Sequence, residues 1–159
     1  MYQRVLVPLD GSDLSEKTLP KAAEMANSSG ATLHLLQVVS RRPEIDAMKG
    51  SDIHALYAGV DPVRQAREEI DRHKAAARRY LDNLASRLRD EGANAETAVV
   101  EGYAHEKILE YARENGIDLV VISTHGYGGF KRMLLGSVTD RIIRSGEVPV
   151  LVLPSEAPG

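Results

Sequence analysis

The chain has 159 residues, of which 43% are apolar and only 4% aromatic, with no cysteine and a formal net charge of −3. Disulfides, thiolate metal sites and cysteine nucleophiles are thereby excluded, an acidic balance argues against a dedicated nucleic-acid binder, and no apolar run approaches the roughly 20 residues of a membrane span. The length suits one ordinary domain whose core is built from Val, Ile, Leu and Ala, as in a buried parallel sheet flanked by helices.

Arg4 to Leu9 reads as a short apolar strand, ended by the turn Asp10-Gly11-Ser12 and entered with no signal-peptide layout. Asp13, with Glu16 three residues on, predicts a capping box for a helix that reaches Ser28 and stops at Gly30, with a kink or late start at Pro20. Ala31 to Val39 is the second strand. Residues 40–65, with Pro43, Gly50, Gly59 and Pro62, have no clean period and read as a variable loop insertion. From Val63 to Glu91 an apolar stripe of Ala66, Ile70, Ala77, Leu81, Leu84 and Leu88 predicts a long helix; its Ala-rich composition suits packing on a sheet better than a coiled coil.

Ala95 to Val100 is the third strand and Tyr103 to Asn115 the third helix, closed by Gly116. Asp118 to Ser123 is a fourth strand, apolar on both faces. A glycine-rich stretch from Thr124 to Gly136 leads to a helix over Ser137 to Ser145, and Pro149 to Leu153 is the last strand. Alternation of strand and helix predicts an α/β fold with a doubly wound parallel sheet. Ligands in such sheets bind beyond the carboxyl ends of the strands, where the winding reverses.

The segment from Ser123 to Thr139 leaves a buried strand, crosses a glycine-rich loop and enters a helix at Gly136-Ser137. Unpaired N–H groups and the macrodipole at a helix start favour an anion, and Ser137 and Thr139 add hydroxyl donors, so a polyphosphate site is the natural reading. The Walker pattern is absent, and a GxGxxG match from Gly126 fails at Lys131.

Ser123, Gly126 and Gly136-Ser137 resemble the universal stress protein signature G-x2-G-x9-G-[ST], with serine in place of its first glycine. The resemblance continues through Val7-Pro8-Leu9-Asp10-Gly11-Ser12, Leu35-Leu36-Gln37-Val38-Val39, Val100-Glu101-Gly102 and Val148-Pro149-Val150-Leu151-Val152. It spans nearly the whole chain apart from residues 40–65. The fold expected is therefore a single doubly wound, five-stranded parallel sheet with helices on both faces, Rossmann-like, of strand order 3-2-1-4-5. Residues 1–154 would form the domain and 155–159 a disordered tail.

The resemblance implies an ATP site, with ADP or AMP as alternatives. Pro8, Leu9 and Asp10 would line the nucleoside, and Asp10 would contact the ribose or a metal-bound water, with Mg2+ bridging phosphate oxygens to it. The backbone of Val38 would hold the adenine edge. Ile122, Ser123 and Gly126 would flank nucleoside and phosphates, and Gly136, Ser137, Val138 and Thr139 would receive the phosphates. It also implies a homodimer through the edge strand 148–153 and a regulatory protein switched by nucleotide; phosphates at Gly136-Ser137 would order residues 124–136, and the lack of cysteine is compatible with the cytoplasmic residence expected.

Simpler roles compete. Asp10 alternatively only closes its turn, Gly136-Ser137 only caps a helix, and Gly126, Gly128 and Gly129 only serve a loop. His125 packs on a ligand or faces water more readily than it acts as a base. Lys131 and Arg132 reach a phosphate or form a solvated charge pair. No triad or carboxylate pair marks catalysis, and the five histidines are not at zinc-ligand spacing. A slow ATPase or autophosphorylating enzyme, and a nucleotide-free dimeric interaction module kept open by Ser123, are the competing functions.

Overall fold

The computed structural model describes residues 1–40, 59, 61–124 and 135–154. Five strands form one sheet: β1 (Arg4–Pro8), β2 (Thr32–Ser40), β3 (Asn94–Gly102), β4 (Leu119–Ser123) and β5 (Val150–Leu153). All pairs are parallel, in the order β3-β2-β1-β4-β5. The helices between them are α1 (Asp13–Glu16), α2 (Leu19–Ser29), α3 (Pro62–Asp90), α4 (Ala104–Glu114) and α5 (Ser137–Ser145).

Side chains alternate across a strand with period two, and here both sets are apolar. Val5, Val7, Leu33, Leu35, Leu119 and Val121 pack on one face with Ala22, Ala26, Leu81, Leu84 and Leu88 from α2 and α3. Leu6, Leu36, Val120 and Ile122 pack on the other with Ile108, Leu109, Ala112 and Ile142 from α4 and α5. The stripe read on α3 is therefore a sheet-packing face, with Ala85 added to it.

Several boundaries differ from the sequence reading. The first helix is two: Ser12, not Asp13, is the N-cap, its hydroxyl accepting from the N–H of Ser15, and α1 stops after one turn. Pro20 then sits in the first turn of α2, where its missing N–H would be unpaired in any case. α3 opens one residue before the expected Val63: Asp61 caps the N–H groups of Val63 and Arg64, and Pro62 is the first helical residue. β3 is longer than expected because it pairs with β2 all the way from Thr32↔Asn94 to Ser40↔Gly102. Asp118 precedes β4 rather than joining it. The rest of the insertion and the tail 155–159 lie outside the described residues.

Candidate functional site

β1 and β4 are neighbours, yet the chain leaves β1 toward α1 on one face and leaves β4 toward α5 on the other. This is the point where the winding reverses, and the carboxyl ends of the two strands border a crevice. A cavity of about 140 Å³ lies there, lined by Pro8, Leu9, Asp10, Ser15, Leu36, Val38, Ala104, Ile108, Ile122, Ser123, Val138 and Thr139. Eight of these were expected from the sequence: Pro8, Leu9, Asp10, Val38, Ile122, Ser123, Val138 and Thr139. Gly136 and Ser137 sit just outside the wall as N-cap and first residue of α5. Gly126, like His125, Lys131 and Arg132, lies outside the described residues.

The wall of β2 follows from where β1 ends. The β1–β2 ladder closes with Pro8↔Leu36, and the N–H of Leu9 donates to the carbonyl of Leu36 at 2.8 Å. Alternate residues of a strand turn their backbone groups to alternate sides, so the N–H and C=O of Val38 face the same way as those of Leu36. β1 no longer runs there, because the N–H of Asp10 turns to the hydroxyl of Ser15 at 3.4 Å. Val38 thus presents one backbone donor and one acceptor beside the cavity, while the β3 side of β2 stays paired to Ser40.

The opposite wall is the start of α5. Its N-cap, Gly136, carries no side chain to accept a hydrogen bond, and the first helical bond runs from the N–H of Asp140 to the carbonyl of Gly136 at 2.9 Å. The N–H groups of Ser137, Val138 and Thr139 therefore have no partner inside the helix, and the positive end of its dipole is directed outward. The Thr139 hydroxyl, expected to meet a phosphate, donates instead to the carbonyl of Ser123 at 3.3 Å and is buried. It ties α5 to the end of β4.

Asp10 does close its turn: its Oδ1 accepts from the N–H of Ser12 at 2.9 Å and from the Ser12 hydroxyl at 2.5 Å. Gly11 between them has φ +83°, a conformation that favours glycine. Its carboxylate is nonetheless exposed and borders the cavity. Ser123 answers the question raised by the missing glycine. No described non-glycine residue has positive φ, so Ser123 occupies backbone that any residue adopts, without strain.

Four wall residues escaped the sequence reading. Ala104 and Ile108 come from α4 and have the pattern of ordinary core positions; Leu36 and Ser15 would have been accessible through their spacing from Val38 and Asp10. A larger cavity of about 520 Å³ lies on the other side of β2, among residues such as Gly11, Gln37, His73 and Tyr80. Among the described residues its wall carries the polar side chains of Gln37, Ser40, His73 and Tyr80 but neither a helix start nor a carboxylate, whereas the smaller cavity has both. Among the described residues no group of three or more His, Asp or Glu side chains could hold a metal ion.

The family model of the universal stress proteins matches residues 1–154, and the chain belongs to that family. It is 30% identical to Universal stress protein MJ0577 of Methanocaldococcus jannaschii over 158 residues, covering 96% of this chain and 95% of the relative. With Universal stress protein YxiE of Bacillus subtilis it shares 31% over 153 residues, 96% of this chain and 99% of that one. The solved structure of MJ0577 superposes with a TM-score of 0.78 at 26% identity, over 99% of both chains. A universal stress protein solved in complex with cAMP superposes with a TM-score of 0.62 at 26% identity, over 98% of both.

Proposed function

We propose that this chain binds an adenine nucleotide at the carboxyl edge of its sheet and acts as a regulatory protein whose conformation or choice of partner follows nucleotide occupancy. One observation carries the reading: a single cavity has the Asp10 turn, the open edge of Val38 and the bare start of α5 on its wall. An adenine edge needs an adjacent donor and acceptor, which Val38 offers; a ribose needs a hydroxyl partner, which Asp10 offers; a phosphate chain needs unpaired N–H groups, which Gly136, Ser137, Val138 and Thr139 offer. The apolar walls of Leu9, Ile108, Ile122 and Val138 suit the flat faces of a base. The similar protein in complex with cAMP supports the adenine class.

ATP is the preferred ligand on this reading, because only a longer phosphate chain uses the helix start fully; ADP and AMP are the alternatives. An exposed carboxylate beside such a chain suits Mg2+, a hard ion that takes oxygen ligands and keeps several waters. Asp10 would hold it, and the ion would neutralise phosphate charge. β5 is an edge strand whose Val150, Leu151, Val152 and Leu153 are all only half-buried. An unpaired apolar edge invites a second strand, so the same reading makes the protein a two-fold homodimer through 148–153.

Equilibrium titration of purified protein with ATP and AMP, after removal of any co-purified nucleotide, tests the site. Gly136→Val should abolish saturable ATP binding while folding normally, since Gly136 has φ −58° and ψ 150°, backbone that valine adopts readily. Absence of affinity at millimolar ATP in the parent would leave the nucleotide-free interaction module. Phosphate release well above background, lost in Asp10→Ala, would make the protein a slow ATPase.

A further inference from the structure

Asp10 is held by α1 rather than by the strand that precedes it. Ser12 fixes its carboxylate, and Ser15 receives its N–H. α1 itself has only four residues, and one helical turn does not support itself: fixing several dihedrals for a single hydrogen bond is unfavourable. Something outside the turn must hold it. At its last residue, Glu16, the Oε1 atom accepts a hydrogen bond of 2.8 Å from the Tyr80 hydroxyl, 64 positions away on α3. α3 has 29 residues, and its Ala77, Leu81 and Leu84 are buried against the sheet. Tyr80 is therefore anchored on the most extensive rigid element beside the site.

We infer that Tyr80 is a positioning residue for the nucleotide site, acting through Glu16 and α1 to set the carboxylate of Asp10. The inference rests on the nucleotide reading above. Tyr80 lines the larger cavity on the far side of β2 and is absent from the wall of the smaller one, so it does not touch the proposed ligand. Its ring packs against the core that α2 and α3 share with the sheet, which leaves the hydroxyl little freedom of direction. Burial, and then the bond to Glu16, push the phenol pKa upward, so the hydroxyl stays a donor throughout the physiological range.

Tyr80→Phe keeps the ring and removes the donor. ATP affinity should fall about fivefold, as for loss of one hydrogen bond to a charged partner transmitted in part. In an Asp10→Asn background the same change should cost less than about twofold, because the group it positions is already altered. Glu16→Gln, which retains an acceptor oxygen, should bind ATP within about twofold of the parent. Hydrogen exchange of the amides of residues 12–18 should accelerate in Tyr80→Phe while those of β4 do not change. Equal losses in the parent and Asp10→Asn backgrounds would mean general loosening and overturn the inference. A parent that binds ATP beside a Tyr80→Phe variant that binds it equally well would overturn it alone. A parent that binds no nucleotide would overturn it together with the reading it rests on.

Discussion

At the amino end of the sheet, the carboxylate of Asp118 takes the N–H groups of Gln3 and Arg4 at 2.7 and 3.1 Å, joining segments more than a hundred residues apart. At the carboxyl end, Asp10 takes the N–H and hydroxyl of Ser12, two residues along its own turn. Two arginines add further ties at the amino end. The Arg4 guanidinium donates to the carbonyl of Asn115 after α4, while that of Arg89, in the last turn of α3, reaches across to donate twice to the carbonyl of Ala95 in β3. At the carboxyl end α4 and α5 both start without a side-chain cap. Both ends belong to the same strands, and the carboxyl end has its own ties, from the Thr139 hydroxyl to Ser123 and from Tyr80 to Glu16, but the first N–H groups of α5 have no partner inside their helix. Unpaired donors near a cavity are costly to a fold, and a polar ligand offsets that cost.

The sharpest way to break this comparison is to exchange the effects of the two aspartates. Asp118→Ala leaves two backbone donors without their partner and should lower unfolding stability by about 2 kcal/mol, with ATP affinity nearly unchanged. Asp10→Ala should do the reverse, lowering ATP affinity about tenfold and stability by less than about 1 kcal/mol. Urea unfolding and calorimetric titration of both variants decide it, and equal losses of affinity would end the contrast. Gly116→Ala sharpens the same point. Gly116 has φ +59°, and an added Cβ would come within 2.8 Å of the Arg4 guanidinium. The variant should lose about 1 kcal/mol by urea unfolding, through strain at that position and displacement of Arg4 from Asn115.

The smallest effect concerns pH. His34 lies in β2, 5% exposed, its Nδ1 sharing a 3.0 Å hydrogen bond with the Tyr111 hydroxyl. Its Nε2 is buried with no partner among the described residues. Burial lowers its pKa below the usual 6.5, Glu96 opposing this and Arg4 adding to it. The unfolded chain then binds a proton that the folded one refuses, so stability is full above about pH 6.5 and is lost as pH falls from there toward the folded pKa. His34→Gln should flatten that decline in urea midpoints, and an equally steep decline would assign it to other groups.

The smaller cavity was largely legible because its parts are local. Pro8 to Asp10, Ile122 to Ser123 and Val138 to Thr139 are each short stretches at the end of a strand or the start of a helix, where a few residues decide both conformation and exposure. Val38 was nameable for its place in β2, but its free edge exists only because β1 stops at Pro8 while β3 continues. The missed wall of Ala104 and Ile108 looks like core in sequence and becomes site only when α4 docks across the sheet. Ser12 displaced Asp13 as cap because the turn offered two suitable residues side by side, and backbone geometry chose between them.

By itself the sequence determined the order of strands and helices, the apolar character of both sheet faces and the identity of the glycine-rich helix start. Those are properties of neighbouring residues: period, capping and turn chemistry. Only the tertiary structure decided which strand edge lies open, that Thr139 is bound to Ser123, that Asp118 seals the amino end, and that Tyr80 reaches Glu16. Those depend on contacts between residues far apart in the chain, whose partners no local pattern specifies, because packing of the whole sheet sets which of them meet.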